Sequence, residues 1–421
     1  MIILLIYVTL FVLAFLTVRG VASQLAKAHD FTSLKTVTFG DESAVTANRA
    51  ASVISVLALF FIWGAFTGSA WAPIHAPGPF IGETEFSYTV ETEDGRRDDA
   101  TVSVVVFPVD GEVDAPEVAP GDGFAKDDAA AVGAWRSALI RVDRNDEIGR
   151  DEGARIVAVD GQPIAPGETV AVADGEVALS DKGTPNFKPR TGWQMEAIWL
   201  PPPENVVSRI FEIADEGYRN STLWEHLGYS LFRVIAGFVC GALVGIPLGY
   251  AMGLSSWFRG WFDPIVEFMR PVPPLALIPL VIIWAGIDEE GKVILLFLAA
   301  LWIMTIGARS GVSGVRISKV HAAYSLGASR WQILRHVIVP NSLPDIFTAA
   351  RVAMGVCWGT VVAAELVAAN QGAGMMIMNA SKFQQTDIVI MGIVLIGVIG
   401  YGIDILMRMA ERWLIPWKGR G

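Results

Sequence analysis

Seven apolar runs, Met1–Val18, Ser52–Trp71, Ser230–Met252, Pro273–Ile287, Val293–Ser310, Pro344–Ala368 and Ile388–Met407, dominate the chain. A bilayer core offers the backbone nothing to bond with, so an apolar stretch of roughly 17–25 residues crosses it by closing its own hydrogen bonds as a helix. Seven spanning helices are the expectation. Pro273–Ile287 is the shortest and carries Pro273, Pro274 and Pro279, so it reads as a broken or tilted span. With 52% of 421 residues hydrophobic and 18% charged, an ordinary soluble domain is excluded.

Lys and Arg collect on the cytoplasmic side of short membrane loops. They do so here between the first two spans (Arg19, Lys27, Lys35, Arg49), between the fifth and sixth (Arg316, Lys319, Arg330, Arg335) and at the C-terminus (Arg408, Arg412, Lys418, Arg420). One orientation puts all three inside, together with Arg259 and Arg270, and leaves the N-terminus and Asp288–Gly291 outside. Met1–Val18 has no basic residue ahead of it and Arg19 behind it, which suits a retained helix better than a cleaved signal peptide.

Between the second and third spans the composition turns acidic: Glu83–Glu196 holds 25 Asp+Glu against 11 Lys+Arg. Runs such as "FSYTVET", "TVSVVVFPV", "ALIRV" and "ARIVAVDGQPI" alternate apolar with polar and end in "EDG", "VDG" and "VADG" turns. That is the pattern of a small, mostly β domain, placed outside by the loop charges, its acid serving as a solvated surface. Cys240 and Cys357 fall within spans, no two histidines share a metal-binding spacing, and no phosphate-binding loop or nucleophile elbow occurs. No catalytic residue, metal site or nucleic-acid partner is therefore expected, and ATP, if used, must be hydrolysed by another chain.

The basic loop at 311–341 contains "HAAYSLGASRWQILRHVIVP". It resembles the EAA loop of ABC importer permeases, with Ala322, Ala323, Gly327, Val337, Val339 and Pro340 at the motif's spacing, His321 where the motif has Glu, and Val339 where Leu is usual. The segments "LWEHLGYSLFRVIAGF", "GIPLGYAMGLS", "DPIVEFMRPVPPLALIPLVIIW", "VVAAELVAA" and "PWKG" are similar to permeases of the taurine, aliphatic-sulfonate and nitrate type. The resemblance implies an α-helical polytopic membrane protein whose six-helix core comprises residues 52–71 and 200–421. Residues 1–18 are then an added helix, 19–51 a cytoplasmic loop and 83–196 an inserted β-rich extracytoplasmic domain. It also implies the permease subunit of an ATP-driven importer of a small anion such as taurine, an alkanesulfonate or nitrate, in a bacterial inner membrane. Its partners would be a cytoplasmic ABC ATPase dimer that binds ATP and Mg, an extracytoplasmic solute-binding protein and a second copy of itself. The rival readings are a membrane-anchored sensor with an external ligand-binding domain and a secondary transporter.

A coupling helix must dock rigidly on its ATPase. Small residues at Ala322, Ala323, Gly327 and Ala328 permit close approach, and Gly327 allows a bend. Trp331, Ile333 and Leu334 supply an apolar face, Arg330 and Arg335 can pair with acids, and Pro340 and Pro344 are expected to stop the helix before the next span. A helix lying on anionic lipid would explain the basic residues but not the small-residue spacing. In the third span Gly237, Gly241, Gly245, Gly249 and Gly253 stand four apart, a stripe suited to close helix packing, within the subunit as the first reading and across the two-fold axis of a dimer as the second. Charges in spans are costly: Arg233 and Asp404 read as helix-end residues. Arg351 and Glu365, 14 residues and about 21 Å apart on one helix, read as each paired with a neighbouring helix, with gatekeeping of an anion by Arg351 as the second reading.

Overall fold

The computed structural model describes residues 2–25, 49–109, 111 and 113–417. Most of the expected cytoplasmic loop 19–51, as well as Lys418 and Arg420, lies outside them. The chain forms two compact units, Met1–Glu204 and Asn205–Gly421.

The first unit begins with two apolar helices, α1 (Ile2–Leu25) and α2 (Arg49–Thr67), which pack together. Tyr7 Oη donates to the Ile74 carbonyl at 2.9 Å, tying α1 to the segment after α2. A β domain of two sheets follows. In the first, β3 (Asp128–Gly133), β2 (Arg97–Phe107), β1 (Gly82–Glu91), β5 (Arg155–Val159) and β6 (Gln162–Pro163) lie in that order. In the second, the order is β4 (Ala138–Leu139), β9 (Pro185–Pro189), β8 (Gly175–Leu179) and β7 (Thr169–Val172). Alternation decides the faces: Ala100, Val102, Val104 and Val106 of β2 point into the core, where the stacked rings of Phe86 and Phe187, 5.8 Å apart, join the two sheets. Asp160 and Gly161, both at positive φ (46° and 71°), close the β5–β6 hairpin, the backbone twist that two-residue hairpins require. "ALIRV" gives only the two-residue β4 and then a 3₁₀ turn at Val142–Arg144.

The chain that leads into this insertion is bonded to the end that leaves it. Phe80 N–H donates to the Arg190 carbonyl at 2.9 Å, Trp193 N–H to Pro77 at 2.7 Å and Met195 N–H to Phe66 at 2.8 Å. The β segment has an apolar core of its own, Phe86, Val102, Val159 and Phe187 among it, which is what a segment needs to fold alone. Residues 83–196 expressed by themselves are therefore expected to be soluble, monomeric and rich in β structure by circular dichroism, and an unfolded spectrum would refute this. Burial pushes Asp128 up to about 7, against the hydrogen bond from Tyr88 and with the help of the nearby Asp146 charge. Between the usual carboxylate range and that value the folded domain holds a proton that the unfolded chain releases, so stability is lost as pH rises through it. The isolated domain should melt higher at about pH 5 than at about pH 8, and Asp128→Asn should flatten the difference.

The second unit is helical: α3 (Pro203–Glu216), α4 (Leu223–Leu254), α5 (Ser256–Met269), α6 (Ile278–Ala285), α7 (Glu289–Ser313), α8 (Ile317–Ser325), α9 (Arg330–Ile333), α10 (Val339–Ala368), α11 (Ala373–Lys382) and α12 (Thr386–Leu414). Among the described residues six helices are long and apolar enough to cross a membrane: α1, α2, α4, α7, α12 and the run from α9 through α10. The expected span Pro273–Ile287 is broken, with a 3₁₀ turn at Pro274–Leu277, then α6, and a 94° bend between α5 and the Pro274–Ala285 arm. It makes a seventh crossing only if that bent pair spans as one. The proline cluster is the cause, removing N–H donors where a helix would continue.

Candidate functional site

The segment between α7 and α10 is built from two opposed caps. At the end of α8, Ala328 N–H donates to Ala323 O at 3.1 Å and Gly327 N–H to Tyr324 O at 2.9 Å, the paired bonds of a helix stop whose turning residue is left-handed. Gly327 is that residue, at φ 78°. Ser329 then opens α9: its Oγ accepts from Gln332 N–H at 3.3 Å and its N–H donates to Gln332 Oε1 at 2.8 Å, a reciprocal capping box. His321, Ala322, Arg330, Trp331 and Arg335 are exposed, and Ala323, Ala328 and Pro340 half-buried. The expected apolar face of Trp331, Ile333 and Leu334 is corrected: Ile333 is buried and anchors α9, while Leu326, 88% exposed, and Tyr324 join Trp331 on the surface. Sequence reading missed Leu326 and Tyr324 because the turn at Gly327 moves them off the helical period.

Pro340 and Pro344 do not stop the helix. A π-helical turn, Leu334–Ile338, joins α9 to α10, and the run Arg330–Val367 is continuous. The wider turn absorbs the missing donor, and side chains bond nearby carbonyls: Asn341 Nδ2 to Val337 O at 2.6 Å and Ser342 Oγ to Val339 O at 2.9 Å.

The glycine stripe of α4 lies against α7. A Cβ at Gly241 would stand 2.6 Å from that of Ala300, and one at Gly249 would stand 2.4 Å from the Thr305 carbonyl; Gly237 and Gly245 meet Leu296 and the Leu301 carbonyl as closely. Backbone packs on backbone, which a larger side chain would prevent.

Arg233 is not a helix-end residue reaching for solvent. It is 1% exposed and gathers three elements: Nη1 donates to Glu365 Oε1 of α10 at 2.6 Å and to the Gln371 carbonyl at 2.8 Å, while Nε and Nη2 grip Glu289 of α7 at 2.5 and 2.6 Å. Glu365, equally buried, accepts from Ser230 Oγ at 2.8 Å and from Gly374 N–H at 2.9 Å. His226 Nδ1 takes the Gly372 N–H at 3.1 Å, and Lys292 Nζ reaches Glu289 at 2.9 Å. A charge network this well bonded offsets its desolvation. Glu289 and Lys292 went unread because "DEEG" looks like a loop; as the first turn of α7 it points a carboxylate at α4.

Arg351 of α10 meets Asp404 of α12 at 3.0 Å, and Arg408 meets the same carboxylate at 2.9 Å. Arg351 and Glu365 thus belong to separate networks. Arg309 of α7 pairs with Asp263 and Glu267 of α5; the signal was Arg259, Asp263 and Glu267 at helical i, i+4 spacing.

Residues 241–416 match the family of the binding-protein-dependent transport system inner membrane component. The taurine transport system permease protein TauC of Escherichia coli K12 is 45% identical over 223 residues, covering 53% of this chain and 81% of that protein. A putative aliphatic sulfonates transport permease protein of the same organism is 38% identical, over 54% of this chain and 84% of its own length. The bicarbonate transport system permease protein CmpB of Synechococcus elongatus is 28% identical, over 49% and 74% respectively. With buried charges and a packed glycine stripe inside apolar helices, and a relative this similar covered over most of its length, the chain belongs to the binding-protein-dependent transport system inner membrane components.

Proposed function

We propose that the chain is the permease subunit of an ATP-driven importer of a small anion, a sulfonate such as taurine first and bicarbonate or nitrate after it. The observation that carries the substrate class is the 45% identity to the taurine permease across 81% of that protein. The capped segment between α7 and α10 supports coupling: a rigid, exposed surface of Tyr324, Leu326 and Trp331, flanked by Arg330 and Arg335, suits docking on a cytoplasmic ATPase dimer. Two nucleotide sites call for two such segments, hence two copies of this chain. A solute-binding protein delivers the anion from outside. The enzyme of the system is the ATPase.

The N-terminus and the acidic β domain lie on the extracytoplasmic side in this reading, where the domain guides or retains the binding protein. Cysteines placed at Gly111 and Ser180, in a background lacking Cys240 and Cys357, should react with an impermeant reagent from outside, and one at Ser329 should not. The reverse pattern overturns the orientation. Co-purification of the chain with an ATPase, and loss of growth on taurine as sulfur source when the gene is removed, test the function. A chain that purifies without an ATPase refutes it in favour of a sensor or a secondary transporter.

A further inference from the structure

The apolar span of α2 ends at Thr67, and the first strand of the β domain begins at Gly82. Residues 71–82 on the way out and 191–203 on the way back form the foot of that domain, and their composition is unlike the rest of it. Residues 83–196 hold 25 Asp+Glu, whereas 71–82 has no Asp, Glu, Lys or Arg, and 191–203 has Glu196 alone. That carboxylate is buried against Arg136, 2.5 Å away. In place of charge the foot presents Trp71, Ile81, Trp193, Met195 and Trp199, between 47% and 74% exposed. A charge-poor patch of large apolar side chains marks a contact surface.

The backbone fixes where this patch sits. Met195 N–H donates to Phe66 O at 2.8 Å and Ala76 N–H to Ala65 O at 2.9 Å, so both segments are bonded to the last turn of α2. Trp193 N–H reaches Pro77 O at 2.7 Å, where the two segments cross. Gly192, at φ 69°, makes room for the crossing, since a Cβ there would stand 2.3 Å from the Pro77 carbonyl oxygen. Trp71 stacks on Phe60 of α2, ring centroids 5.7 Å apart, and Val56 and Leu57, one turn earlier on the same helix face, are exposed. The patch thus continues the lipid-facing side of the span. An uncharged aromatic surface held at the end of a spanning helix lies at the depth where Trp is enriched, its ring against the acyl boundary and its N–H toward water. Acid confined to the body of the domain and excluded from its foot is the division that a lipid surface imposes.

We propose that this foot is a lipid-binding surface, which seats the β domain in the interfacial layer of the bilayer through Trp71, Trp193 and Trp199 rather than leaving it on a free tether. The contact requires only that α2 cross the membrane, and it holds whatever solute the chain carries.

The test uses the whole chain in phosphatidylcholine nanodiscs, labelled with fluorotryptophan and read by fluorine NMR. Trp193 and Trp199 are assigned by the resonance lost in Trp193→Phe and in Trp199→Phe. A nitroxide on the lipid just below its glycerol should broaden both resonances away, while an aqueous gadolinium chelate and a nitroxide at the end of the acyl chain should leave them. Broadening by the gadolinium chelate and not by the shallow nitroxide would put the foot in water and overturn the contact. Insensitivity to every probe would mark a surface covered by protein, whether a second copy or a binding protein, and overturns it equally. Should either variant fail to assemble, a spin label on a cysteine at Ala197, which is exposed, reads the same depth in a background lacking Cys240 and Cys357. Collisions with oxygen should there outnumber those with an aqueous nickel chelate, and the reverse overturns the contact.

Discussion

Arg233→Ala should abolish accumulation of folded permease. The side chain is 1% exposed and its guanidinium is the shared partner of Glu365 and Glu289. Removing it leaves Glu365 buried with its charge uncompensated and cuts the ties that hold α4, α7 and the α10–α11 turn together. Breaking a buried pair this way costs about 3–5 kcal/mol, a large share of the roughly 5–15 kcal/mol of a typical fold. Glu365→Gln should cost less, since its amide oxygen still accepts from Ser230 and Gly374. Size-exclusion chromatography and thermal melting in detergent read the difference, and an Arg233→Ala protein that melts with the wild type would contradict it.

Gly327→Val should do the opposite, sparing the membrane fold and disabling transport. Nothing lies within 4 Å of a Cβ at Gly327, so there is no clash. The obstacle is the backbone, at φ 78°, where an L-residue pays roughly 1–2 kcal/mol and a β-branched one at least that. The turn between α8 and α9 opens, and the Tyr324–Leu326–Trp331 surface loses its shape. Uptake should fall about ten-fold, the equivalent of 1.4 kcal/mol, while expression and ATP hydrolysis persist. Gly327→Asn, which tolerates the left-handed region, should retain most uptake. Normal transport by Gly327→Val would show that the turn does not couple.

The spans were legible because the bilayer imposes one rule on every residue in them, so length and apolarity suffice for α1, α2, α4, α7, α10 and α12. The glycine stripe was legible for a similar reason: period four in a helix means one bare face, whatever it packs on. What depended on partners was not. Arg233 lies ten residues into α4, and only the tertiary fold brings Glu289 and Glu365 to it from 56 and 132 residues away. Pro340 and Pro344 obey a local rule that the π turn overrides, and α5 hid its polar face because the cation it binds, Arg309, is on another helix. The β domain was legible as a domain from its alternation and turns, whereas the order of its strands is set by pairings such as β1 with β5 that no local pattern records.

Under the proposed function, this chain carries a small anion across a membrane at the expense of ATP hydrolysed by a partner. Reconstituted into liposomes with its ATPase and binding protein, it should accumulate labelled taurine against a gradient only when ATP is present on the side of the 311–341 loop. Accumulation driven by a sodium or proton gradient without the ATPase, or ATP hydrolysis indifferent to the loaded binding protein and with no solute moved, would contradict the account.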